Sequence, residues 1–154
     1  MIRKIYFSEF LVLFLYVILV NSMVTSATLL LHELGHYTLG LYEGCEKIKF
    51  VLLDSEQGTY TEMICPRAES WYFAALGAFI FVIPYSILFI FLKNFPERHL
   101  SMIIIGFNFL IASADFSLFP IINPIVFCVG VILIIWKEII FIDNLLNKFL
   151  VRTK

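Results

Sequence analysis

FLVLFLYVILVNSMVTSATLLLHELGHYTLGL, residues Phe10–Leu41, is the stretch on which the reading of this chain turns. It begins as an apolar run and ends in His32-Glu33-Leu34-Gly35-His36. On a helix, residues i and i+4 share a face, so His32 and His36 can aim their imidazoles at one point. Two neutral imidazoles at that spacing suit Zn²⁺, and Glu33 between them is placed to take a proton from a water on the metal. The bland alternative is a polar helix end at a membrane surface, with His and Glu solvated. Two of the chain's 3 histidines fall here, which favours the metal. Such groups beside an apolar run are costly unless paired or functional. The stretch therefore predicts zinc chemistry inside a membrane or at its edge.

Composition fits that setting. Hydrophobic residues make up 61% of the 154 and charged residues 15%, against about half and about a quarter in soluble domains. Mean hydropathy is +0.94. The expectation is one membrane-embedded domain over 1–154, in contact with the lipid bilayer. A net charge of −1 speaks against a nucleic-acid partner. Cys45, Cys65 and Cys128 have no C-x-x-C spacing, so they do not suggest a zinc knuckle.

Arg3 and Lys4 followed by Phe10–Val20 also describe a signal peptide, with Thr25-Ser26-Ala27 as a passable cleavage site. The alternative is one long helix over about 7–41. Asn21, Thr25, Thr28, His32 and His36 form a single helical stripe, which favours the long helix. On a membrane helix such a stripe should face the protein interior. Its hydroxyls can instead bond back to their own helix and carry no function.

The polar segment from Tyr42 to Ser70 reads as a β-hairpin. Lys47–Leu53 and Thr59–Ile64 are its strands, Asp54-Ser55-Glu56-Gln57-Gly58 its turn, and Pro66 its close. Further spans are expected at 71–92, anchored by Trp71 and Tyr72 and bent at Pro84, then at 100–119 and 121–136. Residues 137–151 should form an amphipathic tail along the interface, with Ile139, Ile142, Leu146 and Phe149 as its apolar face. His99, in a charged loop, reads as a surface residue. The fold class is thus an all-α polytopic membrane protein of about four transmembrane helices, with a small hairpin inserted after the first.

Catalytic zinc normally has three protein ligands and an open position. Asp115, an acidic residue late in the third apolar segment, meets the need for a third ligand and the cost of an intramembrane carboxylate together. A salt bridge is the other way to meet that cost, but no basic residue falls inside a span.

With these residues in view, the chain resembles the site-2 protease family of intramembrane zinc metalloproteases, in a minimal form, over roughly 10–120. The resemblance rests on H-E-L-G-H at the end of an apolar first helix and on Gly44 leading into Ile48-Lys49-Phe50. Gly58-Thr59 and Ala75-Leu76-Gly77-Ala78 add to it. The family commonly carries its aspartate in L-D-G after N-x-x-P. Here Asp115 precedes Pro120 and no glycine follows it. The resemblance implies Zn²⁺ on His32, His36 and Asp115, Glu33 as the base, and a transmembrane protein or peptide as substrate. It also makes Asn108 and Asn123 candidates for a substrate-binding asparagine. The competing readings are a non-proteolytic membrane protein with a structural or vestigial zinc site, and a metal or ion transporter.

Four spans would put both termini on one side, together with Arg3, Lys4, Lys93, Arg98, Lys148, Arg152 and Lys154. The positive-inside rule makes that side cytoplasmic. The resemblance implies the opposite, since the family's motif usually lies toward the cytoplasm. With cytoplasmic termini, Cys45 and Cys65 would face an oxidising space and be able to pair. A reduced, buried pair is the alternative.

Overall fold

A computed structural model describes residues 7–54, 58–65, 71–91 and 96–151. The termini with Arg3, Lys4, Arg152 and Lys154, the turn residues 55–57, and Pro66 and Lys93 lie outside the described residues.

Helix α1 runs unbroken over Phe7–Tyr42, as the long-helix reading expects. It contains no Pro, and Asn21, Thr25, Thr28, His32 and His36 fall on one face, while Ser22 and Ser26 are exposed. Val24 and Thr28 are buried, while Phe10, Val12, Phe14, Leu15, Leu19 and Met23 turn outward. Its N-terminal half belongs to the core: Leu13 and Val24 pack with Val82, Ile103, Ile104, Phe141 and Leu145. At 1.5 Å per residue, its 36 residues measure about 54 Å, well beyond the about 30 Å of a bilayer's hydrocarbon core.

Strands β1 (Glu46–Asp54) and β2 (Gly58–Ile64) form the expected antiparallel hairpin. Phe50 pairs with Thr61 and Val51 with Tyr60, and the ladder is irregular between Glu46 and Lys49. Lys47 takes a positive φ of 52° there. A Cys45–Cys65 disulfide ties the base of the hairpin together.

The expected second span is two helices, α2 (Trp71–Phe79) and α3 (Val82–Ile90). Pro84 does more than bend it. Proline has no N–H for the carbonyl four residues back, and its ring crowds that carbonyl, so the helix breaks at Ile80–Phe81. The third apolar segment also stops short. After a 3₁₀ turn (Pro96–His99), α4 covers Leu100–Asp115 and ends ahead of Pro120, with residues 116–121 in tight turns. Phe116 and Phe119 in that turn pack with Ala75, Ala78 and Phe79 of α2 and Ala112 of α4.

The expected fourth span and the tail are one helix, α5 (Ile122–Val151), because no breaker separates them. Among the described residues of the tail, Phe141 and Leu145 are buried and Leu146 packs against the core as expected, while Ile139 and Ile142 are exposed; the side chain of Phe149 lies outside the described residues. Gly106 and Gly130 bring α4 and α5 into close contact: a Cβ on Gly130 would stand 2.8 Å from the Gly106 carbonyl oxygen. Small residues at such a crossing let two backbones meet.

Among the described residues two helices, α1 and α5, are long and apolar enough to cross a membrane, where four were expected. A 16-residue α4 measures only about 24 Å. Only 6% of the apolar window of α1 and 11% of that of α5 is buried inside the protein. A soluble core helix would be mostly buried, so these side chains face outward.

His99 is half-buried and stands apart from the His32–His36–Asp115 group, with Asn144 Nδ2 3.2 Å from its Nε2. Burial, and then the nearby Arg98 and Lys137 charges, hold its imidazole below the ordinary histidine value.

Candidate metal centre

Helix α1 presents His32 and His36 on one face, with ring centroids 4.9 Å apart. Asp115, the last residue of α4, meets them from across the bundle. His32 Nε2 and His36 Nε2 each lie 3.0 Å from the same oxygen, Asp115 Oδ2. His32 is 1% exposed and His36 7%, so the pair is taken out of water by the protein itself. His32, His36 and Asp115 are thus brought together as the sequence leads one to expect, with ligand atoms all within 4.8 Å of one another.

The donor set fits a divalent cation. Tetrahedral zinc with ligands at about 2.0–2.1 Å has ligand–ligand edges of about 3.3 Å, and the two nitrogen–oxygen edges here are 3.0 Å. His32 Nδ1 lies 3.0 Å from Asn108 Oδ1, an oxygen that can only accept, so the two are hydrogen-bonded when Nδ1 carries the proton. In the neutral ring, Nε2 then turns a lone pair toward the Asp115 carboxylate. Two acceptors face each other, and a cation between them satisfies both.

The glycines of two motifs explain the fit of His36. A Cβ on Gly35 would fall on the Gly77 carbonyl, so α1 and α2 touch backbone to backbone there. A Cβ on Gly77 would clash with the His36 ring. Phe73, one helical turn before Gly77, stacks on the same ring with centroids 6.2 Å apart. The Ala75–Ala78 patch thus gives the imidazole its seat as well as permitting helix contact. Phe73 was not singled out from the sequence, although its i, i+4 relation to Gly77 places both on one face.

A cavity of about 550 Å³ opens onto the site, lined among others by His32, Glu33, His36, Phe73 and Asp115. Strand β2 supplies a wall through Thr59, Tyr60, Thr61 and Met63. Thr61 Oγ1 donates to the Glu33 carbonyl at 3.0 Å and fastens the strand to the metal-motif turn.

The polar stripe faces inward as expected, but two of its groups bond to their own helix. Thr28 donates to the Val24 carbonyl at 2.7 Å and is wholly buried, and Asn21 donates to the Val17 carbonyl. Thr28 does not line the cavity. Asn108 and Asn123 do not line the cavity either: Asn108 is wholly buried behind His32, and Asn123 stands in the first turn of α5.

No family model matches the chain, and neither a curated protein nor a solved structure matches it.

Proposed function

We infer that the chain is an intramembrane zinc metalloprotease, of the kind the site-2 protease resemblance implies. The observation that carries this reading is the convergence of His32 and His36 on one oxygen of Asp115, with Glu33 beside them in an open cavity. His32, His36 and Asp115 would hold the ion. Bound zinc supplies Lewis acidity toward a carbonyl oxygen and acidifies a water. Glu33 accepts the proton of the attacking water and returns it to the leaving amine.

The substrate is a membrane-embedded polypeptide. A helix hides its carbonyls in its own hydrogen bonds, so the segment to be cut has to unwind first. Strand β2 pairs with β1 on one side only, and its other edge can take up an extended segment beside the metal. Neither a structural ion site nor a transport site needs a base in an open cavity. A transport path also needs openings on both sides. Thr28 and Asn108, which do not line the cavity, are wholly buried.

The testing experiment is cleavage of a transmembrane peptide by the full chain in lipid vesicles. A strong chelator should abolish cleavage and added zinc restore it. Cleavage indifferent to metal, or none with zinc present, overturns the reading.

In the multi-pass arrangement that goes with it, α1 and α5 cross fully, and α2, α3 and α4 fill the bundle between them. The hairpin faces an oxidising space and the termini the cytoplasm. The Cys45–Cys65 disulfide and the basic residues near the termini support this orientation. The metal site then lies near the outer end of α1, since His36 precedes the helix end at Tyr42 by about 9 Å. In a Cys128→Ser background, Cys45 and Cys65 should become reactive to an impermeant thiol reagent added outside, and only after reduction. Labelling from the cytoplasmic side without reductant reverses the orientation.

A further inference from the structure

Asn108 does work that the mechanism above leaves unassigned. We propose that it is a positioning residue, fixing His32 as the Nδ1–H imidazole with Nε2 turned to the metal; this rests on the zinc reading and deepens it. His32 lies between two side chains of one helix face, Asn108 and Asp115, two turns apart on α4. Asn108 Oδ1 takes Nδ1 at 3.0 Å, and Asp115 Oδ2 faces Nε2 at 3.0 Å. Metal-binding histidines are commonly held through their second nitrogen in this way, which sets the tautomer and the ring orientation.

Burial separates this role from substrate contact. Asn108 is 0% exposed and does not line the cavity, so it acts through His32. It also separates the role from packing. The neighbouring Ile103, Ile104 and Ala112 of α4 are wholly buried, and Asn108 Nδ2 is buried without a hydrogen-bond partner. An unpaired amide in such surroundings is a cost that an apolar side chain of the same size avoids. What the asparagine adds there is the one bond it makes, to His32. His36 is seated differently, by Phe73 and Gly77, so the two imidazoles are oriented by independent means.

The experiment measures zinc affinity of the full chain in detergent against a competing chelator. Asn108→Leu removes the acceptor at similar volume and should weaken zinc binding about 10- to 100-fold. Asn108→Asp keeps an acceptor in the same place and should hold zinc at least as tightly as the wild type. Wild-type affinity in Asn108→Leu overturns the proposal, and so does equal weakening in both variants. Should Asn108→Leu fail to fold, ¹⁵N resonances of the His32 ring in the zinc-loaded wild type decide the matter. Protonated Nδ1 with metal-bound Nε2 is expected, and the reverse overturns it. A wild-type chain that takes up no zinc removes the metal reading and this one together. A zinc-binding wild type with an indifferent Asn108→Leu removes the role of Asn108 alone.

Discussion

Glu33→Gln is expected to bind zinc as the wild type does and to cleave a membrane-embedded peptide about 10²- to 10⁴-fold more slowly, the usual contribution of a general base. The side chain lines the cavity beside both imidazoles but does not join the group of converging ligand atoms. Glutamine keeps its size and can still accept a hydrogen bond, but it cannot take a proton from water. The helix turn that carries residue 33 is fixed independently of the carboxylate, because Thr61 holds the backbone carbonyl. Two readouts are needed. Zinc content measured on the purified variant should match the wild type, while turnover falls. Turnover at the wild-type rate would remove Glu33 from the chemistry, and loss of zinc would make it a ligand instead of a base.

The parts of this site that were legible in the sequence are those set by local spacing. His32 and His36 share a face because a helix repeats every 3.6 residues, and the helix itself follows from an unbroken apolar run. The hairpin could be read from strand-forming residues on either side of a turn cluster. Asp115 was legible for another reason: a carboxylate in an apolar segment needs a partner, and few were on offer. Helix ends were read less well. Apolar composition continues past Phe79 and Asp115, so only the reach of Pro84 and Pro120 back along the chain marks the breaks, and that reach is a matter of backbone geometry. The fit of Gly77 under His36 was out of view, because a glycine's Cβ space is a property of two helices together. Asn108 shows the same limit. Its spacing from Asp115 gave the face, but not that the amide would lie behind His32, away from the cavity. The helical stripe correctly gave the buried face of α1. Thr28 also satisfies its hydroxyl on its own backbone, the back-bonding open to such groups.

Replacing Asp115 with Ala should cost the protein its zinc, with a loss of affinity greater than the about 10- to 100-fold typical of removing a group outside the ligand set. Both histidines turn Nε2 toward one oxygen of this carboxylate, so its removal takes away one of three ligands and the negative charge that holds a dication. Its position argues the same way. Asp115 is the last residue of α4, where the helix dipole presents its negative end and a carboxylate is disfavoured by about 0.3–1 kcal/mol. A cation between the carboxylate and the two imidazoles offsets that repulsion. Asp115→Asn is the more discriminating variant. It keeps the shape and one oxygen acceptor at the end of α4, and it removes only the charge. Weakening of zinc binding in Asp115→Asn, with the metal-free fold intact by circular dichroism, assigns the loss to coordination. Stoichiometric zinc held by Asp115→Ala at wild-type affinity would take Asp115 out of the ligand set. His32 and His36 would then be one ligand short of a catalytic site.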